Sequence, residues 1–342
     1  MFEFLRYCRG VRNRDPHWKI MDRLPSNMRT DMRRFLDQFS GENVLFVPNA
    51  GNAGDCLIFA STLSAMSRSS VNFEIADDGA DFKNRTVFLG GGGNLVGIYP
   101  DTCQTIEACR SEAARIVLLP HTIRGNDELI ASLDGRFTIW CRERRSFEHV
   151  RKLNPDLDCH IGHDMAFHCD VEEFLSDLEC NEIGTLLLND GLKRRGTSLE
   201  RLAELSVVRF MRTDREARSS RIATDLDVSL AFGSVADVET STLTAWCFLK
   251  TISVAKRVIT DRLHVAIACA LLGTTCELLD NSYSKNREVY AHSLHRFDGI
   301  SFKRSAGARI ADQPPRKKSL FAKTANRAHR LARDFLRRGA MP

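Results

Sequence analysis

Four side chains set the chemical question. Arg142 follows the stretch FTIWC, Arg262 and His264 stand between VIT and an apolar run, and Lys285 comes shortly after CELLD. Arginine and lysine hold carboxylates and phosphates, and imidazole exchanges a proton near neutral pH. Together they suit a small, multiply charged anion and a proton transfer. The elements that must position them are written beside them. Residues 258–260 are β-branched at two positions and at 260, and read as the end of a buried strand. Residues 263–272 favour helix, and Gly273 stands where that helix would stop. TTCELLD then resumes strand character, giving the strand, turn, helix, strand order of a parallel α/β unit. In such sheets ligands bind beyond the carboxyl ends of the strands, where helix N-termini present unpaired N–H groups. Arg262 and His264 fall at that edge; the plainer reading is a salt-bridged arginine and a capping histidine.

Further loops follow predicted strands. NAGNAGDCLI carries Gly51, Asn52, Gly54 and Asp55 between a strand at 43–48 and a helix at 54–67. Asn52 and Asp55 can hydrogen-bond a ligand or cap the helix. LGGGGNL carries Gly90, Gly91, Gly92 and Gly93 with Asn94, more glycine than one turn requires, which implies close passage past a ligand or another loop. Neither GxGxxG nor GxxxxGK[ST] occurs. In CRERRSF, Arg142 is the first residue past its strand and is expected to point into a cleft, whereas 143–145 suit an exposed helix face. CHIGHDMAFHC packs two Cys, three His and an Asp into residues 159–169. Its spacings match no standard zinc pairing, so no metal is expected.

Strands are expected at NVLFVP, VNFEIA, TVFLG, RIVLLP (115–120) and FTIWC, with helices between them. A second series begins with IGTLLLN (183–189) as a strand, after a linker at 167–182, and continues through SVVRFMR and a helix near 240–255. The division is a helical extension over 1–40, a Rossmann-like domain over 41–170, a second over 171–305, and a basic tail over 306–342. Two similar α/β domains facing a cleft is the expected architecture.

Bulk properties narrow the class. A chain of 342 residues with 43% hydrophobic and 27% charged residues is globular in composition and suits two domains. No apolar run reaches the ~18 residues of a membrane span, and the N-terminus lacks a sustained apolar signal, so a cytoplasmic protein is expected. Eleven cysteines without CxxC spacing read as reduced thiols. Residues 316–338 hold nine Lys/Arg and one Asp; removing that +8 from the net +5 leaves −3 elsewhere. A basic body for nucleic acid is thereby excluded. In the tail, Leu320, Phe321, Leu331, Phe335 and Leu336 recur at helical spacing among the basic residues. Such a helix can lie on an anionic membrane surface or pack on the body.

The ordered set of motifs resembles the polysaccharide pyruvyl transferase family: NAGD (52–55), LGGGGN, Arg142-Glu143 with Ser146, DMAF (164–167), Arg262-Leu263-His264 opening a helix, and Lys285 some twenty residues later. One departure is His121 in LLPHTIRG, where family members more often carry Gln. The resemblance implies a fold similar to the B-type glycosyltransferases. It also implies transfer of pyruvate from phosphoenolpyruvate, a co-substrate, to a hydroxyl pair of a hexose in an exopolysaccharide or its lipid-linked precursor, with no metal. By the same resemblance residues 41–170 form the acceptor side and 171–305 the donor side; Arg142, Arg262 and Lys285 hold the donor and His264 protonates it, while Asn52, Asp55, Gly91, Gly92, Asn94 and His121 line loops or the acceptor. A nucleotide-sugar glycosyltransferase of the same fold and a non-catalytic scaffold at the membrane surface are the competing readings.

Overall fold

The computed structural model describes residues 24–303, apart from 26, 78, 98, 215–221 and 282–284. The basic tail, and the N-terminal extension up to residue 23, lie outside the described residues. The protein is mixed α/β with two parallel sheets, one in each of two compact units. The first unit takes the chain up to Asn49, Ser61–Asp170 and Arg287–Gly299; the second takes Ala50–Ala60, Val171–Asn286 and the chain from Ile300. The polypeptide therefore enters the second unit briefly at 50–60 and returns to the first at 287–299.

In chain order, the first series runs α1 (Thr30–Asp37), β1 (Asn43–Val47), α2 (Ala53–Arg68), β2 (Asn72–Ile75), β3 (Thr86–Leu89), β4 (Gly92–Val96), α3 (Asp101–Cys109), β5 (Arg115–Arg124), α4 (Asp127–Ala131), β6 (Phe137–Cys141), α5 (Arg144–Leu153) and β7 (Asp158–Ile161). The sheet order is β2-β1-β3-β5-β6-β7, with β4 also paired to β5 and every pairing parallel. β5 is buried from Ile116 to Ile123, as a central strand covered on both faces must be. Its first half pairs with β3 and its second half with β4. Sequence pattern ended this strand at Pro120; it runs on to Arg124. Proline has no N–H to give the ladder, and the register with β6 shifts between Leu118 and His121 to accommodate it. One face packs Leu45, Val87, Leu118, Phe137, Ile139 and Val150 into a single apolar cluster.

The second series runs α6 (Val171–Ser176), α7 (Leu178–Arg194), α8 (Leu199–Glu204), β8 (Val208–Phe210), α9 (Val238–Ser253), β9 (Arg257–Thr260), α10 (Leu263–Leu272), β10 (Thr275–Leu279), α11 (Lys285–His292) and β11 (Ile300–Lys303). Its sheet has the order β11-β10-β9-β8, again all parallel. The strand expected at 183–189 is helix instead, inside α7, and the expected linker at 167–182 holds α6 and the start of α7. Asp177 caps the start of this helix, its side chain accepting the Cys180 N–H (2.8 Å), and a Cβ on Gly184 would meet the Trp246 ring at 2.6 Å, so the glycine lets α7 lie close against α9. α10 is buried along nearly its whole length and ends on Gly273 in the left-handed conformation (φ 70°).

Candidate active site

The carboxyl edge of the second sheet collects half of the ten candidate residues. β9 ends at Thr260, and the chain turns through Asp261 and Arg262 into α10. The Thr260 hydroxyl donates to the Phe210 carbonyl (2.6 Å) and accepts the Arg262 N–H (2.9 Å), which fixes the corner. Arg262 precedes α10 in an extended conformation, and its side chain makes no capping hydrogen bond to that helix terminus. N–H groups at such a terminus, together with the helix dipole, favour an anion by about 0.3–1 kcal/mol. His264 is the second residue of α10.

Against it lies the start of α2, which belongs to the same unit. A Cβ on Gly54 would come within 2.4 Å of His264 Nδ1 and 2.7 Å of His264 Cβ. Only glycine permits this approach. Asn52 and Asp55 form a reciprocal cap on α2: Asn52 Oδ1 accepts from the Gly54 N–H (2.9 Å), and Asp55 Oδ2 accepts from the Asn52 N–H (2.8 Å). The loop is held further by the Val235 N–H donating to the Gly51 carbonyl (2.9 Å).

Lys285 is the first residue of α11, and its N–H donates to Asn281 Oδ1 (2.8 Å). The next residue, Asn286, is fully buried and donates through Nδ2 to the carbonyls of Asp261 (2.7 Å) and Leu279 (2.9 Å). The start of α11 is thus tied to the corner that carries Arg262 and His264. Asn52, Asp55, Arg262, His264 and Lys285 all belong to this edge.

Arg262 is not presented to solvent. It is 4% exposed and grips Asp227 through Nε (3.0 Å) and Nη2 (2.6 Å), while Nη1 reaches Asp214 at 2.8 Å. Asp214 also pairs with Arg212, whose backbone N–H donates to Asp261. Burial pushes the Asp261 carboxyl above its ordinary range, against the pull of Arg212 and Arg262. Among the described residues two arginines thus face three aspartates, and Arg262, paired with two of them, shapes the corner.

In the first unit, the glycine run makes room for protein. A Cβ on Gly90 would strike the Asn49 backbone N at 2.6 Å, one on Gly91 the Pro120 carbonyl at 2.8 Å, and one on Gly92 (φ 152°) the Asn49 Nδ2 at 2.3 Å. Asn94 links three neighbours, donating to Asn49 Oδ1 (2.6 Å) and accepting from Thr102 Oγ1 (2.7 Å) and His121 Nε2 (2.9 Å). His121 is fully buried and holds β4 to β5. Gly91, Gly92, Asn94 and His121 therefore do gather in one place.

Arg142 departs from expectation. It is fully buried, with Nη1 on Asp164 (2.6 Å) and Nε on Thr122 (2.8 Å), so it anchors the loop after β7 instead of pointing outward. A strand-end arginine turns inward when a carboxylate waits there. Asp164 gives no local sign of this, being 22 residues away in sequence. Asp227, 35 residues from Arg262, likewise carries no local sign. Asn286 adjoins Lys285, and that adjacency is a local signal of its anchoring role.

Among the described residues no three His, Cys, Asp or Glu side chains converge as a metal site requires, and no helix is long and apolar enough to cross a membrane. The 159–169 cluster disperses its side chains. Cys159 faces Cys141 (Sγ–Sγ 3.9 Å), His160 stacks on Trp140 and pairs with Asp158, and His163 stacks on His292. Burial, then the His292 charge, drops the His163 imidazole to about 3; burial, then Arg29 and Arg68, does the same to His168.

A comparison with curated proteins finds no match. Among solved structures, a functionally uncharacterised protein from Klebsiella pneumoniae subsp. pneumoniae is similar, with 26% sequence identity and a TM-score of 0.67 over 82% of this chain and 99% of that one. The family model described as polysaccharide pyruvyl transferase matches residues 52–283, a span that begins at the Asn52 cap and takes in Arg262 and His264. With more than half of its length in that match, the chain belongs to the polysaccharide pyruvyl transferase family.

Proposed function

We propose that this pyruvyl transferase uses phosphoenolpyruvate as donor and forms a ketal on a hydroxyl pair of a hexose, in an exopolysaccharide or its lipid-linked precursor. The observation that carries the reading is the apposition of His264 to Gly54 at the N-terminus of α10. An imidazole beside an anion-favouring helix terminus supplies both needs of this donor. The phosphate and carboxylate are met by helix N–H groups and by Lys285 at the start of α11. His264 gives a proton to the enol methylene, so that C2 becomes electrophilic. One acceptor hydroxyl adds to C2, the C–O bond to phosphate breaks, and the second hydroxyl closes the ketal. One hydroxyl proton returns to the imidazole and the other leaves with phosphate. General acid catalysis of this kind contributes roughly 10²–10⁴ in rate.

In this reading Arg142 and Arg262 act through the loops they anchor, since each is already paired with a carboxylate. Acceptor binding falls to the first unit, and a B-type arrangement with the two units facing a cleft belongs to the same proposal. Association of the basic tail with an anionic membrane surface is a separate part of it, consistent with a lipid-linked acceptor. Calorimetric titration separates this donor from the glycosyltransferase alternative. Phosphoenolpyruvate should bind while a panel of sugar nucleotides does not; binding of a sugar nucleotide alone would overturn the assignment.

A further inference from the structure

Arg124 closes β5, at the carboxyl end of a central strand in the first sheet, where α/β folds take their ligands. Its guanidinium is used on one side only. Nη1 sits among three acceptors: the Ile123 carbonyl (2.7 Å), Glu143 Oε1 (2.9 Å) and Ser146 Oγ (2.7 Å). Nε and Nη2, which form the opposite edge, are shielded from solvent and meet no hydrogen-bond partner among the described residues. Glu143 cannot serve that edge. It is fully buried, and it caps α5 with Oε2 accepting the Ser146 N–H (3.0 Å) while Oε1 takes the Ser146 hydroxyl and Arg124 Nη1.

Buried N–H groups are paired in nearly all proteins, and an arrangement that leaves two parallel donors over calls for an acceptor from elsewhere. The Nε/Nη2 edge is the part of arginine that takes both oxygens of a carboxylate or phosphate at once. The guanidinium is also held in place beforehand, so little ordering is needed on binding. Beside it, β4 ends with Val96 paired to Arg124, and Asn126 donates to the Arg124 carbonyl, so the strand end itself is fixed.

We propose that Arg124 reads an oxyanion on the acceptor, either the carboxylate of an acidic sugar or a phosphate of the carrier. The inference rests on the pyruvyl transfer reading for the word acceptor, but its test needs no donor. The full chain is titrated calorimetrically, without phosphoenolpyruvate, with a glucuronate-terminated disaccharide, its neutral glucose counterpart and glucose 1-phosphate. Wild type should bind one charged ligand at least tenfold more tightly than the neutral one. Arg124→Lys keeps the charge beside Glu143 but loses the fork, and should abolish that preference, a roughly ten- to hundredfold weakening. Loss confined to the glucuronate identifies an acidic sugar, and loss confined to the sugar phosphate identifies the carrier. A second variant, Arg124→Gln with Glu143→Gln, removes both charges so that neither is left buried alone, and should show the same loss. No preference in wild type, or a preference that survives in both variants, overturns the proposal. If phosphoenolpyruvate fails to bind wild type while the preference is present, the donor assignment falls and Arg124 as an anion reader stands.

Discussion

Replacing Gly54 with alanine tests the geometry around His264 by adding one methyl group. The new Cβ would lie 2.4 Å from His264 Nδ1, 2.8 Å from Cγ and 2.7 Å from Cβ. Ordinary contacts of this kind stand about 3.5–4.0 Å apart, so something must retreat by about 1 Å. Rotating the imidazole cannot provide it, because the His264 Cβ is itself in the way and moves only with the backbone. The starts of α2 and α10 must separate, or the methyl group must be forced into strain of about 1–3 kcal/mol. A catalytic group displaced by 1 Å loses about 10²-fold in rate. Phosphate release from phosphoenolpyruvate in the presence of acceptor measures kcat, and circular dichroism at the assay temperature establishes that the variant is folded. Folded Gly54→Ala protein with wild-type kcat would refute the placement of His264 against α2, or its part in turnover.

Asp227→Ala leaves the buried Arg262 guanidinium without its bidentate partner, and removing one member of such a pair costs about 3–5 kcal/mol; urea unfolding should show a loss of this size, and a change below 1 kcal/mol would mean that Asp214 alone suffices. Acid should weaken the first unit. In the folded state His163 and His168 take up protons only near pH 3, whereas in the unfolded chain they do so near 6.5. The unfolded state therefore binds more protons between these values, and stability present above pH 6.5 is lost as pH falls toward 3. At pH 5 the loss is about 2 kcal/mol for each histidine. Denaturation curves at pH 7.5 and 5 should differ accordingly, and the difference should halve in His163→Gln.

Strands announced themselves wherever β-branched and aromatic residues ran together, as in β1, β3, β6 and β9. The turn at Arg262–His264 could also be read, because strand, polar corner and apolar helix are contiguous. What escaped was decided by partners distant in sequence. Periodicity alone does not separate a strand from a helix in the short apolar run at 183–189, and the ring of Trp246, 62 residues on, packs over Gly184 in the helix that forms. Arg142 and Arg262 have the residue type of ligand-binding arginines. Only the positions of Asp164 and Asp227 reveal that both are neutralised within the protein. The glycine run at 90–93 implies close passage past a ligand or a loop, and Gly90, Gly91 and Gly92 pass closely over Asn49 and Pro120. Nothing local in the sequence distinguishes an arginine with one satisfied edge, as at Arg124, from one with two.

The most direct measurement compares surface polysaccharide from cells carrying wild-type chain with that from cells carrying His264→Ala at equal folded levels. Mass spectrometry should find hexose residues bearing a pyruvate ketal in the first and none in the second. The same ketal content in both would contradict proton transfer from His264, and with it the reading of this edge as the donor site.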